Sequence, residues 1–494
     1  MNRLKRGTKV ERLRISNNER YFIKADGTPF SWLADTAWTM PQRLKWDDAE
    51  YYMKKRKSQG FTVLQVVALD PERDREMRNP SGEKALLKDS PLTPNEQYFR
   101  YLDKIVKMAE ELDMYILLLP AWGELIVGHN WAGEFSSKLI THENAYLYGK
   151  WIGKRYQNNK NILWCLGGDR QPIHLGVNYK NVWRCMAEGI AKGVTGKDIK
   201  YNEPDPLWKK LLITYHTCHE AETGECSTMS YWSDEDAWIS YIMLQSGHGL
   251  EPKNYELVTK EYTRKKVMPV WDGEPAYEMM PTSWPVIESF HKAWMVRKRA
   301  YWSLFAGAFG YTYGHCAVWQ FISEKERNQM CKSTWHEVLA SEGAEQMKYL
   351  RMLMDSMQVM KCRPCQDILS EKSDDIMDEH LQACAGEQGC YYCIYFPSGG
   401  SAALSMSRSM QDKAYLWWFN PRDGKFYQSE GSVTESAQEY SIKNSILQVA
   451  APTSGSEQDW ILIIMDKETA KPVKERSYYD ADTQAAMKKT FEWT

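Results

Sequence analysis

Two short segments place carboxylates where an apolar strand breaks. One is Asn161-Ile-Leu-Trp-Cys-Leu-Gly-Gly-Asp169-Arg170. The other is Val267-Met-Pro-Val-Trp-Asp272-Gly-Glu274-Pro275. A buried strand that delivers an acid to its carboxyl end is how parallel α/β folds present reacting groups. Two acids across one cavity suit cleavage of a glycosidic bond: one protonates the leaving oxygen, and the other attacks carbon or activates water. Asp272 and Glu274 are two apart, so strand alternation leaves open which one faces the cavity. A kink at Gly273 turns either inward. The competing reading is a strand-end salt bridge, for instance Asp169 with Arg170.

The other strand ends carry compatible groups. Asp35 and Trp38 follow the first apolar run, and Trp122 the third. His216 follows the fifth, Gln245 and His248 the sixth, Trp271 and Asp272 close the seventh, and His315 and Trp319 follow the eighth. Acids, amides and imidazoles hydrogen-bond vicinal hydroxyls, and indoles stack on sugar rings. Asp35 reads as binding or structural rather than proton-transferring. The histidines, with Asp169 and Asp272, also resemble the ligand supply of a barrel metallohydrolase, but no His-x-His follows the first strand. The expectation is therefore no metal and no cofactor.

These groups need strands to hold them. Eight apolar runs qualify: Phe30–Trp38, Phe61–Leu69, Met114–Trp122, Ile162–Leu166, Leu211–Thr217, Ile239–Leu244, Val267–Trp271 and Gly310–Trp319. Continuous rather than alternating apolar runs mean burial on both faces, as in a parallel sheet. Helical stripes fill the gaps, clearest over Tyr98–Leu112, where Thr93 reads as the N-cap and Pro94 as the first-turn proline. The fifth gap offers only a short helix at Asp234–Trp238. Eight strand–helix units imply a (β/α)₈ barrel over residues 1–358, with an open doubly wound sheet as the alternative. No Gly-x-Gly-x-x-Gly follows the first strand, which disfavours a dinucleotide fold. From residue 359 to 494 short strands with frequent turns predict a small antiparallel β-sandwich. Ser398-Gly-Gly-Ser401 reads as a turn there.

Composition bounds the partners. A net charge of −2 makes no electrostatic case for nucleic acid or an anionic membrane. No apolar run is long enough to span a bilayer. The aromatic load, 21 Trp and 29 Tyr, suits sugar stacking, although large cores also use Trp. The basic start has no apolar stretch behind it and the eleven cysteines are scattered, so a cytoplasmic location is expected. Cys362/Cys365 and Cys390/Cys393 have zinc-site spacing. The second pair lies in a predicted strand, where residues three apart face opposite ways, which favours incidental thiols.

The chain resembles the apiosidase-like bacterial glycoside hydrolases of family one hundred and forty. The resemblance rests on Trp32-Leu-Ala-Asp-Thr-Ala-Trp38, Leu119-Pro-Ala-Trp-Gly123, Leu166-Gly-Gly-Asp-Arg170, Met243-Leu-Gln-Ser-Gly-His248, Asp272-Gly-Glu-Pro275 and Tyr313-Gly-His315. Trp417-Trp-Phe-Asn-Pro-Arg-Asp-Gly424 resembles that family's C-terminal domain. The resemblance implies a retaining, exo-acting enzyme that releases apiose or a related sugar from a plant glycoside, with Asp169 as acid/base and Glu274 as nucleophile. Asp35, Trp38, Trp122, Arg170, His216, Gln245, His248, Trp271, Asp272, His315 and Trp319 are the expected sugar-binding surround. The alternatives are a non-catalytic carbohydrate-binding protein and a metal-dependent hydrolase. Oligomeric state is not legible.

Overall fold

The structure, a computed structural model, describes residues 10–466 apart from 131, 221, 251–252, 285, 371–376, 407–412 and 443. The outer ends of the two expected domains, 1–9 and 467–494, lie outside the described residues. Eight strands form one parallel sheet: β1 (Trp32–Thr36), β2 (Val63–Val67), β3 (Tyr115–Leu119), β4 (Ile162–Gly167), β5 (Ile213–His216), β6 (Ile242–Leu244), β7 (Val270–Asp272) and β8 (Gly310–Tyr313). Their order is β6-β7-β8-β1-β2-β3-β4-β5. The seam between β5 and β6 is closed largely by side chains. The Thr228 hydroxyl donates to the Tyr215 carbonyl (2.7 Å) and accepts the Met243 N–H (3.0 Å). Thr214 donates to the Tyr241 carbonyl at 2.6 Å. The sheet is thus wrapped into a (β/α)₈ barrel.

One main helix follows each strand: α1 (Trp46–Ser58), α2 (Glu96–Glu111), α3 (His142–Arg155), α4 (Lys180–Thr195), α5 (Thr228–Tyr231), α6 (Asn254–Tyr262), α7 (Ala293–Phe305) and α8 (Glu342–Met357). Two expectations shift. The N-cap of α2 is Asn95, whose side chain accepts the Gln97 N–H at 3.0 Å, not Thr93. The fifth helix is the single turn at 228–231, with Ser227 as cap, because Ser227 holds the Met229 N–H while 234–238 is irregular. The floor of the barrel is aromatic. Phe22, from an N-terminal hairpin, packs on Trp32, Tyr241 and Phe309 at 4.7–5.7 Å, and Trp271 joins them.

The C-terminal region is antiparallel. One sheet contains β9 (Gln382–Ala385), β10 (Tyr391–Phe396), β12 (Lys413–Phe419), β13 (Gln438–Ser441) and β15 (Trp460–Met465). A second pairs β11 (Gly399–Ser405) with β14 (Ile446–Ser454). The Gly-Gly stretch expected as a turn begins β11: small residues carry no hydrophobic alternation to announce a strand. The larger sheet has two dry faces. Tyr392, Ile394, Phe396, Trp418, Leu462 and Ile464 pack inside the sandwich, whereas Cys393, Tyr395, Trp417, Ile461 and Ile463 join the barrel core. The period of two along each strand divides these sets.

Helix α7 is the shared element. Arg297 forks onto Asp459 at 2.8 and 3.0 Å, Tyr301 stacks on Tyr395 at 5.1 Å, and Trp302 donates to the His380 carbonyl. Both Arg297 and Asp459 are buried. Asp459→Ala leaves that buried guanidinium only Gln346 and a distant Glu342, 4.0 Å away, so chemical denaturation should show a loss of about 3 kcal/mol. A paired Arg297→Met, Asp459→Leu replacement should recover much of it. Equal losses in single and double variants would refute the pair as an interdomain clamp.

Candidate active site

The carboxyl ends of β1 to β8 converge on one mouth. Backbone hydrogen bonds carry the ladder into the loops: Trp122 N–H to Leu69 (2.9 Å), Gly123 N–H to Gly168 (3.2 Å) and Gly168 N–H to His216 (3.0 Å). At the end of β4, Gly167, Gly168 and Asp169 all have positive φ, at 90°, 107° and 50°. Two of these sites admit only glycine. A Cβ on Gly167 would lie 2.1 Å from the His216 carbonyl oxygen, and one on Gly168 would lie 2.7 Å from the Trp122 ring. Aspartate is among the few side chains that tolerate the third position.

That kink aims the Asp169 amide at His216, whose Nδ1 accepts it at 2.8 Å. An amide can only donate. Nδ1 is therefore the acceptor, and Nε2 carries the ring proton. Nε2 lies 2.5 Å from Oε2 of Glu274, so a neutral imidazole donates to that carboxylate. His248 Nε2 approaches Oε1 at 3.5 Å. Tyr277, whose hydroxyl is pushed up by burial and by neighbouring Glu274, accepts Trp38 Nε1 at 3.2 Å. Burial opposes ionisation of Glu274, but the hydrogen bonds from His216 and His248 prevail and hold it well below the usual carboxylate range.

The Asp169 side chain is more open, 28% exposed against 8% for Glu274. Its Oδ1 accepts Gln245 Nε2 at 2.9 Å, and its Oδ2 accepts Arg170 Nη1 at 2.9 Å. The expected Asp169–Arg170 ion pair thus exists, and it orients the carboxyl without removing it from the cavity. The rings of Trp38 and Trp122 flank His216 at 5.5 and 5.8 Å.

The question at Gly273 has a geometric answer. The N–H groups of Gly273 and Glu274 both reach the Leu244 carbonyl, at 2.8 and 3.2 Å. Two residues opposing one is a bulge, which re-aims the following side chain. Gln65 crosses the barrel to hold the Gly273 carbonyl at 2.8 Å. A Cβ at Gly273 would meet Met243 Cε at 2.4 Å. Glu274 consequently faces the cavity. Asp272 faces the helices, accepting from Ser246 (2.7 Å) and Asn254 (3.2 Å), and burial pushes its carboxyl up.

The structure therefore unites Asp169, Glu274, Arg170, His216, Gln245, His248, Trp38 and Trp122. It leaves out other expected residues. Asp35, on the outer face of β1, is buried against Arg56 (2.6 Å) and Tyr52. Trp271 lies in the aromatic floor and donates to Thr312 at 3.1 Å. His315 is buried, accepts the Ala317 N–H at 3.0 Å, and is pushed down to about 3 by burial and by Arg56. Trp319 is half-buried beside the Tyr277–Met280–Ile322 cluster. In each case the alternation of the strand or the turn after it points the side chain elsewhere.

Three neighbours were not foreseen: Tyr277, and Asp70 and Glu72 after β2. Asp70-Pro-Glu72 stands directly behind the second apolar run and was the available signal. Burial, with Glu124 adding, pushes Asp70 up to about 6, and burial together with Asp70 and Asp169 pushes Glu72 up to about 8. Among the described residues no group of three or more His, Cys, Asp or Glu is arranged to hold a metal ion. No helix among them is long and apolar enough to cross a membrane.

A (β/α)₈ barrel with a buried acid and a second, more open acid at its mouth suits cleavage of a glycosidic bond, and the comparisons supply the class. The family model described as "Apiosidase-like, catalytic domain" matches residues 16–361, so the chain belongs to the apiosidase-like family of glycoside hydrolases. The model described as "Putative collagen-binding domain of a collagenase" matches 364–465. A solved structure described as a glycoside hydrolase is 27% identical, with 93% of this chain and 98% of that one covered and a TM-score of 0.76. A glycoside hydrolase family 5 structure from Bacteroides vulgatus is 26% identical, covering 93% and 94%, with a TM-score of 0.78. No curated protein matches the chain at a significant level.

The raised Glu72 carboxyl has a stability consequence. A carboxyl whose folded value lies above its unfolded one keeps its proton in the fold, so its ionisation erodes stability as pH rises from about 4.3 towards 8. Glu72→Gln should therefore reduce the fall in Tm between pH 5 and 8. An unchanged slope would remove Glu72 as its source.

Proposed function

We propose that this chain is a retaining, exo-acting glycosidase that removes one terminal sugar, apiose being the first candidate, from a plant-derived oligosaccharide or glycoside. Asp169 gives its proton to the glycosidic oxygen while Glu274 attacks the anomeric carbon. The bond to the leaving group breaks and a glycosyl ester forms on Glu274. Asp169, now a carboxylate, takes a proton from water. That water attacks the anomeric carbon, which frees the sugar and restores Glu274.

The observation that carries this reading is the hydrogen-bonded state of Glu274. A nucleophile must be ionised, and His216 with a fixed proton on Nε2 keeps it so. His216 holds Oε2 closely and His248 holds Oε1 at the longer distance, which makes Oε1 the attacking oxygen. Exo action is supported by depth. The nucleophile's side chain is 8% exposed, packed against His216 and His248, and the acid's is 28% exposed. The apiose assignment draws on the family's description. Gln245 and His248 would take sugar hydroxyls, and Trp122 a ring face.

Glu274→Gln should lower kcat by about 10⁴-fold or more, and Asp169→Asn by about 10²–10⁴-fold on substrates with poor leaving groups. Proton NMR of the first-formed product should show the anomeric configuration of the substrate; inverted product would exclude a nucleophilic Glu274. A chelator should leave activity intact. His216→Ala should move the acid limb of kcat/KM to higher pH, because Glu274 loses the donor that holds its proton affinity down.

A further inference from the structure

A surface beside the acid is more apolar than a purely saccharide leaving group requires. Phe135 is 82% exposed, Leu175 75% and Val177 50%. They belong to two segments that meet next to Arg170. The first forms a bridge between His129 and Phe135, whose rings lie 4.8 Å apart. The second is a hairpin in which Ile173 pairs with Asn178 and His174 with Val177. Directly opposed residues share a face, so Val177 lies on the face of His174, whose ring is 5.4 Å from that of His129. Phe135, His129, His174 and Val177 thus form one continuous strip with Leu175 at its tip.

The strip is joined to the acid through one guanidinium. Arg170 Nη1 contacts Asp169 Oδ2 at 2.9 Å, and Nε of the same group donates to the His129 carbonyl at 3.3 Å. The turn adds a second, independent sign. Leu175 and Gly176 both have positive φ, 47° and 76°, as a two-residue hairpin loop demands. Asn, Asp or Gly suits the first position, and a leucine there is strained and bares its side chain to water. Folding alone gives no reason for that choice, whereas a ligand contact does. The imidazole of His174 adds to the apolar character: burial, then Arg170 and His129, lower its proton affinity. Ring nitrogens His129 Nδ1 and His174 Nε2 are buried with no hydrogen-bond partner.

We infer that this strip is the leaving-group subsite and that it takes an aromatic aglycone, a phenol or fused phenolic ring, rather than a further sugar. The inference rests on the assignment of Asp169 as acid. The proton donor must touch the glycosidic oxygen, so the leaving group lies on the Asp169 side of the bond, away from Glu274. Arg170 ties that side to the strip, reaching Asp169 Oδ2 with one nitrogen and the His129 carbonyl with another. A flat apolar ring gains contact on Phe135 and Leu175, and its single phenolic or ring oxygen can meet the unpartnered nitrogens of His129 and His174, whereas a saccharide would set several further hydroxyls against apolar side chains.

The test uses the full chain and 4-methylumbelliferone, a free fluorescent phenol, titrated into wild type, Phe135→Ser and Leu175→Asn. The variants should bind it about tenfold more weakly, and Leu175→Asn should keep or raise Tm, since Asn tolerates the left-handed turn. Binding of equal strength in all three proteins overturns the inference. In parallel, the ratio of kcat/KM for a 4-methylumbelliferyl glycoside to that for a disaccharide with the same terminal sugar should fall about tenfold in each variant. A ratio that holds, or falls for the disaccharide instead, also overturns it. Absence of turnover on every glycoside in wild type counts against the glycosidase mechanism, and the binding titration still decides the subsite.

Discussion

One backbone amide sets the chemistry of the pocket. Because the Asp169 N–H points at Nδ1 of His216, the ring has a single tautomer available, and that tautomer presents a proton to Glu274. Two residues distant in sequence are thereby coupled: the loop that carries the open acid also determines the ionisation of the buried one. The coupling depends on three consecutive left-handed residues at the end of β4, two of which must lack a Cβ. The histidine donates to Glu274 without taking its charge, so the carboxylate remains the local anion towards which positive charge at an anomeric carbon can develop.

The same strand ends hold a second set of acids with the opposite orientation. Asp35 and Asp272 point away from the cavity, into the helical layer, where Arg56 with Tyr52, and Ser246 with Asn254, satisfy them. The Asn254 amide also reaches Arg299 and Ser303, so Asp272 joins β7 to α6 and α7. The frame that holds Glu274 is therefore itself built from a buried carboxyl two residues earlier. The pocket and its support share one short sequence, which explains why Asp272-Gly-Glu274 reads as two equivalent candidates.

The amount legible in advance follows from that arrangement. Eight apolar runs located the strands because burial on both faces leaves an unmistakable pattern, and Gly-Gly-Asp169 announced its own kink. The side chain that turns inward was not legible where a bulge decides it. Leu244 accepts two amides, and that acceptance depends on a neighbouring strand distant in sequence. Tryptophan suits a sugar platform, yet Trp271 packs into the floor with Trp32 and Tyr241. Tyr277 lies in a loop with no periodicity and so gives no signal in the sequence. In the C-terminal region the aromatic strands are recognisable, whereas β11, built of Gly, Ser and Ala with one leucine, Leu404, offers little contrast between its faces.

Helix α7 has buried residues all round, polar ones included, with the barrel on one side and the larger antiparallel sheet on the other. A helix with no wet side cannot serve as the outer wall of an autonomous barrel. Cutting the chain near residue 360 would bare Tyr301, Trp302 and the Arg297 guanidinium together, an adhesive surface rather than a solvent-facing one. The two regions thus share one dry seam along α7. Gene-level shuffling could exchange the antiparallel module only along with the face of α7 that it grips.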